Sequence, residues 1–158
     1  MRILFALALA AVSCAPVAPQ LARAEETTGI SACVTAAQGR AALERCKGSV
    51  AAACLREPGN ADSTMGLVLC NDQEATEWQA LLEAQIARIS QHQPNRVEEL
   101  AAAQAAWVVW RDAECAFHRA DAEGGSGEQV VQVECDRDLT ADRVIAFTLL
   151  ERNGGSLY

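Results

Sequence analysis

The sequence predicts an all-α protein, a disulfide-stapled antiparallel helical bundle with three long helices and a short N-terminal helical hairpin. Alanine, leucine, glutamate and glutamine are frequent and β-branched runs are short, a composition that favours helices. Apolar residues recur at steps of three and four, the period of an amphipathic helix. Glycine and proline fall between these periodic segments, where turns are expected.

The turn residues divide the chain into five predicted helices. Two short helices are expected at about 30–38 and 42–55, and long ones at about 62–92, 96–123 and from 127 onward. Short connections make successive helices antiparallel neighbours. We expect a short cysteine-rich segment (25–61) and a three-helix domain (62–153), packed as one globular unit.

The first 24 residues have the features of a secretory signal peptide. Arg2 gives a positive start, residues 3–11 form an apolar run too short to span a bilayer, and Ala22-Arg23-Ala24 fits a small-x-small cleavage site. The mature chain is therefore expected to begin at Glu25 and to be periplasmic or secreted. The alternative is a lipoprotein signal that anchors Cys14, although Ala11 stands where such signals prefer leucine. No later apolar run is long enough for a membrane span.

The charge is strongly negative. The chain has 21 acidic and 13 basic side chains and a net charge of −8. Removal of residues 1–24 would take away Arg2 and Arg23 and leave a net charge of −10. Such a surface repels phosphate backbones and anionic lipid, so nucleic acid is not an expected partner. The charge either attracts basic partners or only keeps the protein soluble.

Six cysteines remain after the predicted signal peptide, and an even number in an exported chain predicts three disulfides. A metal site would need CxxC pairs or histidines at ligand spacing. The sequence has no CxxC, and neither His92 nor His118 lies near a suitable cysteine pair. We therefore expect no metal and no cofactor. The six cysteines are Cys33, Cys46, Cys54, Cys70, Cys115 and Cys135.

The turn positions predict how these cysteines pair. If the chain reverses near Gly125, Cys115 and Cys135 each lie ten residues from the turn. At ~1.5 Å per residue they have the same height on facing helices. Cysteine order alone allows 15 connectivities among six cysteines. A turn near residue 39 and a loop near residue 58 predict the other two pairs, Cys33–Cys46 and Cys54–Cys70.

Each long helix carries one ionisable residue within its apolar stripe, namely Glu74, Arg111 and Arg143. A buried ion costs several kcal/mol unless it is paired. Counted from the turn near residue 94, Glu74 and Arg111 differ by about 4.5 Å in height. The pattern thus predicts a Glu74–Arg111 ion pair, with the Trp107 ring over the Arg111 stem. For Arg143 the expected acceptors are a backbone carbonyl, Gln85 or Gln104.

The same residues carry a resemblance. Residues 65–151 resemble the bacterial extracytoplasmic lysozyme-inhibitor LprI-like domain family, formerly a domain of unknown function, whose pattern is Q-x2-W-x3-R-x3-C, a glycine-rich turn and C-x7-R. The cysteine-rich residues 30–60 lie outside that pattern. The resemblance implies a helical extracytoplasmic domain that inhibits lysozyme. The matching residues are Gln104, Trp107, Arg111, Cys115, Gly124-Gly125, Cys135 and Arg143, with Cys70 and Glu74 upstream.

The sequence has no pattern typical of an enzyme. There is no GxSxG, and neither histidine neighbours a serine or cysteine as in a catalytic dyad. The segment GGSG at 124–127 lacks the Lys-Ser/Thr ending of a phosphate-binding loop. Asp138 and Asp142 lie four residues apart without the spacing of an EF-hand, which indicates a solvated helix face. We predict no catalytic residues.

Two features suggest binding to a protein partner, for which a basic lysozyme-type hydrolase is the candidate. Trp110 and Phe117 are seven residues apart and offset from Trp107, so they either form an interface or cover the short N-terminal helices. The loop 57–62, fixed by Cys54 and Cys70, is the second feature. The alternative function is an envelope structural or interaction module with a different partner. Lysozyme sites use two carboxylates, and the expected contact residues beside the aromatic pair are Arg56, Asn60 and Arg119.

Overall fold

A computed structural model describes residues 29–122 and 124–154. All regular secondary structure in these ranges is helical, which confirms the all-α prediction. The predicted signal peptide, the mature start at Glu25 and Cys14 lie outside the described residues. The helices are α1 (Ile30–Ala36), α2 (Arg40–Glu44), α3 (Ser49–Leu55), α4 (Thr64–His92), a 3₁₀ turn (Pro94–Arg96), α5 (Val97–Ala120) and α6 (Gly127–Arg152).

The segment 42–55, predicted as one helix, forms two helices in the structure. Gly48 between them adopts φ 76° and ψ −1°, a left-handed conformation that glycine adopts without a steric penalty. The chain thus turns between α2 and α3. The N-terminal part therefore consists of three short helices in place of the two expected.

Helix α4 has clear signals at both ends. The Ser63 hydroxyl accepts a hydrogen bond from the Gly66 backbone N–H at 3.0 Å, which caps the first turn. A Cβ atom at Gly66 would lie 2.1 Å from the Asn60 carbonyl oxygen, so only glycine allows this close approach. At the other end Pro94 follows the C-cap residue Gln93, as expected because proline disfavours a helical residue before it.

The helices α4 and α6, which run parallel to each other, form the centre of the molecule. Helix α5 packs mainly on α6, whereas α1 and α3 pack on α4 and α2 packs on α6. The core residues come from the short and the long helices alike. The fully buried apolar side chains at its centre are Ile30, Leu43, Trp78, Leu82, Val144 and Ile145.

The last turn of α6 also holds the end of α1. The Arg152 guanidinium donates hydrogen bonds to the carbonyl oxygens of Ala37 at 2.7 Å and Val34 at 2.8 Å. These carbonyls belong to the C-terminal end of α1, where helix carbonyls lack partners within the helix. The first and last described helices are therefore joined directly.

The three disulfides are those predicted from the turn positions. Their Cα–Cα distances are 5.8 Å for Cys33–Cys46 and 5.5 Å for both Cys54–Cys70 and Cys115–Cys135. Each lies within the range that disulfide geometry allows. The first two bonds lie in the N-terminal half of the chain, and the third joins α5 to α6.

The predicted Glu74–Arg111 ion pair is wrong. The Glu74 carboxylate is fully buried and accepts hydrogen bonds from three backbone N–H groups at the start of α3, those of Gly48 (2.6 Å), Val50 (2.9 Å) and Ala51 (2.8 Å). The Trp78 indole N–H donates a fourth, at 3.0 Å. Helix α3 has no capping side chain of its own. Glu74 supplies the missing acceptors, so it needs no cation.

We expect Glu74→Gln to lower the free energy of unfolding by about 2–3 kcal/mol. Whichever way the amide turns, its NH₂ group faces N–H donors, and buried donors without acceptors are costly. Glu83→Gln is the matched control, because Glu83 is exposed on the same helix and should change stability by less than about 0.5 kcal/mol. Urea denaturation measures both. Equal losses in the two variants would contradict the capping role.

Replacing Cys115 and Cys135 together by alanine should cost about 2–4 kcal/mol, the usual value for a natural disulfide. The loss should be local, because α5 has little contact with α4. Hydrogen exchange should show faster exchange in α5 than in α4. Uniformly faster exchange along all helices would argue against this local role.

Candidate partner-binding surface

Trp107 on α5 contacts two arginines. The Arg111 guanidinium carbon lies 5.1 Å from the Trp107 ring centroid, which is the contact expected from their spacing. The Arg143 guanidinium from α6 lies 5.6 Å from the same ring and 4.6 Å from the Phe147 ring. Both distances are in the range of cation–π attraction. The four side chains therefore form a row in which cations and rings alternate, in the order Arg111, Trp107, Arg143 and Phe147.

Arg111 is neutralised by aspartates near its own helix. Its Nη2 lies 2.9 Å from Asp112 and its Nε 3.8 Å from Asp136 on α6. Its side chain is 19% exposed, so it lies at the edge of the helix contact. This position explains why Arg111 needs no carboxylate from α4.

Arg143 has none of the three acceptors expected for it. Gln85 donates instead to the Val144 carbonyl and the Thr148 hydroxyl. The Oε1 atom of Gln104 and the Nε of Arg143 are both buried without a hydrogen-bond partner. Arg143 is held by the rings of Trp107 and Phe147. Burial lowers the pKa of Arg143 below its ordinary value.

Arg137, on the same helix, shows the opposite behaviour. Burial alone would lower its pKa, but the hydrogen bond and charge of Asp138, with the charges of Glu74 and Glu134, raise it. Arg137 also donates to the side-chain oxygen of Asn71 on α4. Of these two half-buried arginines, one has carboxylate neighbours and the other does not.

The outward side of α5 is apolar and exposed. Of the helix's 24 residues only Cys115 is fully buried, while Val109, Trp110 and Phe117 are 71%, 50% and 66% exposed. We call these three residues the α5 face. The short N-terminal helices pack on α4 and α6, so the alternative that Trp110 and Phe117 cover them is wrong.

Charged groups border the α5 face. Asp112 is exposed, and Glu114 lies 3.4 Å from His118, whose ring also meets the Phe117 ring edge-on at 5.6 Å. Arg119 donates to Gln132 at 3.2 Å and stays exposed. A groove of about 330 Å³ between α5 and α6 adjoins this end of the helix. Its lining includes His118 and the carboxylates of Glu134 and Asp138.

The two contact residues predicted near the loop 57–62, Asn60 and Arg56, differ in whether their side chains are free to bind a partner. The Asn60 amide donates to the Cys54 carbonyl at 2.9 Å, so this side chain fixes the loop. The Arg56 side chain is exposed and donates a hydrogen bond to none of the described residues. Only Arg56 therefore presents a free donor from this segment.

The described residues contain no cluster of three His, Cys, Asp or Glu side chains able to hold a metal ion. None of the described helices is long and apolar enough to cross a membrane.

These features define a class: an all-α, disulfide-linked protein with an exposed aromatic helix face. The model of one protein family, described as lysozyme inhibitor LprI, matches residues 54–146, more than half of the chain. The chain belongs to this family. No curated protein and no solved structure matches it.

The match begins at Cys54, upstream of the start expected from the sequence pattern. It therefore includes the end of α3 and both cysteines of the Cys54–Cys70 disulfide. The sequence pattern predicted neither the exposure of Val109 nor the role of Glu74 at α3. Val109 does not lie at helical spacing from Trp110 and Phe117, so the pattern of these aromatic residues does not include it. The residues around Glu74 contain no signal that its side chain caps a separate helix.

The effects of Glu74→Gln and Arg111→Gln on the free energy of unfolding should add, within about 0.5 kcal/mol, because the residues share no partner in the structure. Denaturation of the two single variants and the double variant measures the coupling. A coupling above about 1 kcal/mol would support the pairing that the structure excludes.

Proposed function

We propose that the chain is an exported binding protein that inhibits a lysozyme-type cell-wall hydrolase. The observation that carries this proposal is the family match over residues 54–146. The α5 face is the proposed contact surface, with Arg56 and Arg119 as additional donors to the partner.

Export to the periplasm or the exterior is supported by the cysteines. All six cysteines of the described residues form disulfides, which persist in oxidising compartments. The signal-like features of residues 1–24 agree with this location. Either compartment would bring the protein to cell-wall hydrolases.

The α5 face has the composition of a binding surface. Tryptophan and other aromatic residues contribute most to interfaces when a partner covers them. The helix that carries them is joined to α6 by Cys115–Cys135 near Phe117. Because the surface is already ordered, little conformational entropy is lost on binding.

The charge favours a basic partner. The net charge is −8, and Asp112, Glu114, Glu134 and Asp138 lie near the α5 face or line the adjoining groove. Opposite charges speed association and orient the encounter, an effect that salt screens. A basic hydrolase presenting lysine or arginine beside an apolar patch would fit this surface.

Replacing Trp110 and Phe117 together by alanine should weaken inhibition of lysozyme at least tenfold, because exposed aromatics at an interface often contribute 2 kcal/mol or more. Stability should change by less than about 0.5 kcal/mol per residue, since both side chains are exposed. Clearing of a cell-wall suspension measures inhibition, and thermal unfolding measures stability.

The matched control is Met65→Ala with Leu69→Ala, an exposed apolar pair on α4. This control should inhibit as the parent does. Equal weakening by both pairs would rule out the α5 face as the contact surface.

Inhibition should also weaken when salt is raised from 50 to 500 mM, because the attraction between an acidic inhibitor and a basic enzyme is screened. Absence of inhibition at micromolar protein would overturn the lysozyme proposal. In that case, capture of another envelope protein that depends on Trp110 and Phe117 would support the alternative interaction module.

A further inference from the structure

Arg143 is unusual among the described arginines. Its guanidinium hydrogen-bonds to no described residue, although Nε is buried. Apart from the exposed Arg56, every other described arginine has a hydrogen-bond acceptor or a carboxylate within the chain. A half-buried cation without an acceptor is costly, so this arrangement needs an explanation.

The rings of Trp107 and Phe147 fix the guanidinium in place. Their centroids lie 5.6 Å and 4.6 Å from the Arg143 guanidinium carbon. Attraction to aromatic rings compensates for part of the lost hydration but satisfies none of the N–H donors in the guanidinium plane. The residue is only partly buried, while Nε is sealed. The terminal nitrogens are thus the part that an external group can reach.

Neighbouring charges leave Arg143 positive and unpaired. Arg111, which shares the Trp107 ring, is matched by Asp112 and Asp136. The adjacent Asp142 points to another partner, Lys47, at 2.6 Å. Arg137 on the same helix has Asp138. No described carboxylate lies within ion-pair distance of Arg143.

Arg143 lies at the edge of the α5 face. Residues three apart on a helix are neighbours on its surface, so Trp107 adjoins Trp110. The Arg143 guanidinium stacks near Trp107 on its α6 side. A partner that binds Trp110 would therefore also lie close to Arg143.

We propose that Arg143 is a carboxylate-binding residue, whose terminal nitrogens receive an aspartate or glutamate of the protein partner. This inference rests on the proposed function and deepens it, since it assigns an anionic contact to an otherwise acidic surface. Charge-assisted hydrogen bonds from a guanidinium to a carboxylate are among the stronger polar contacts. Because two rings already orient the guanidinium, the contact loses little side-chain entropy.

The decisive variant is Arg143→Met, which keeps a long unbranched side chain between the rings. It should weaken lysozyme binding at least tenfold while the unfolding midpoint stays the same or rises, because an unpaired buried charge is removed. Arg45→Met is the matched control, since it removes the same charge from an exposed arginine at the end of α2, outside the proposed contact surface. Binding of that control should be unchanged or slightly tighter.

Long-range charge effects predict the opposite result. Both variants make an acidic protein more negative, which would strengthen attraction to a basic partner. Weaker binding by Arg143→Met alone therefore indicates a direct contact. Unchanged binding, or a lower unfolding midpoint with unchanged binding, would show that Arg143 has only a structural role.

A second measurement does not depend on lysozyme. The arginine Nε–H signals are followed by NMR while acetate replaces chloride at constant ionic strength. The Arg143 signal should shift saturably and the Arg45 signal should not. If the parent protein shows this shift but does not inhibit lysozyme, the carboxylate site stands and the proposed function fails. If it inhibits lysozyme without the shift, and Arg143→Met inhibits equally, the site is overturned.

Discussion

The hydrogen bonds of the buried Glu74 carboxylate hold the short helix α3 against the long helix α4. The carboxylate lies inside the contact between α3 and α4 and accepts hydrogen bonds from the backbone of α3 and from Trp78. The short helix α3 has no cap within its own sequence. Without Glu74, the start of α3 would leave N–H groups buried without acceptors. The position of α3 on α4 therefore depends on this side chain as well as on the Cys54–Cys70 disulfide.

Helix α5 is held in place in a different way from α3. It has one fully buried residue, Cys115, and that residue is covalently bound to α6. A helix held by a disulfide and by the contacts of Trp107 needs less apolar burial than one held by packing alone. The remaining apolar residues are free to stay exposed, as Val109, Trp110 and Phe117 do. The fold thus combines a fixed helix with a surface that is not used for its own stability.

The sequence predicted those features that depend on position along a helix. Equal distances from a turn placed Cys115 beside Cys135, because helical rise converts residue number directly into height. The same counting failed for Glu74 and Arg111. Height does not show which way a side chain points, and the true partners of Glu74 are backbone groups of α3, whose separation from α2 at Gly48 was not predicted. For Arg143, aromatic rings replaced the expected acceptors, and a spacing pattern does not distinguish ring faces from oxygen atoms.

The link from Arg152 to the carbonyls of Val34 and Ala37 has a consequence for biosynthesis. A polypeptide is made from its N-terminus, so α1 exists long before the guanidinium that secures its end. During that interval α1 is restrained by its local hydrogen bonds, by the Cys33–Cys46 bond and by its contacts with α4, which include the hydrogen bond from the Ile30 N–H to Glu77. The carbonyl groups at the end of the helix made first among those described therefore gain their donors last, and truncation just before Arg152 would leave those carbonyls without them.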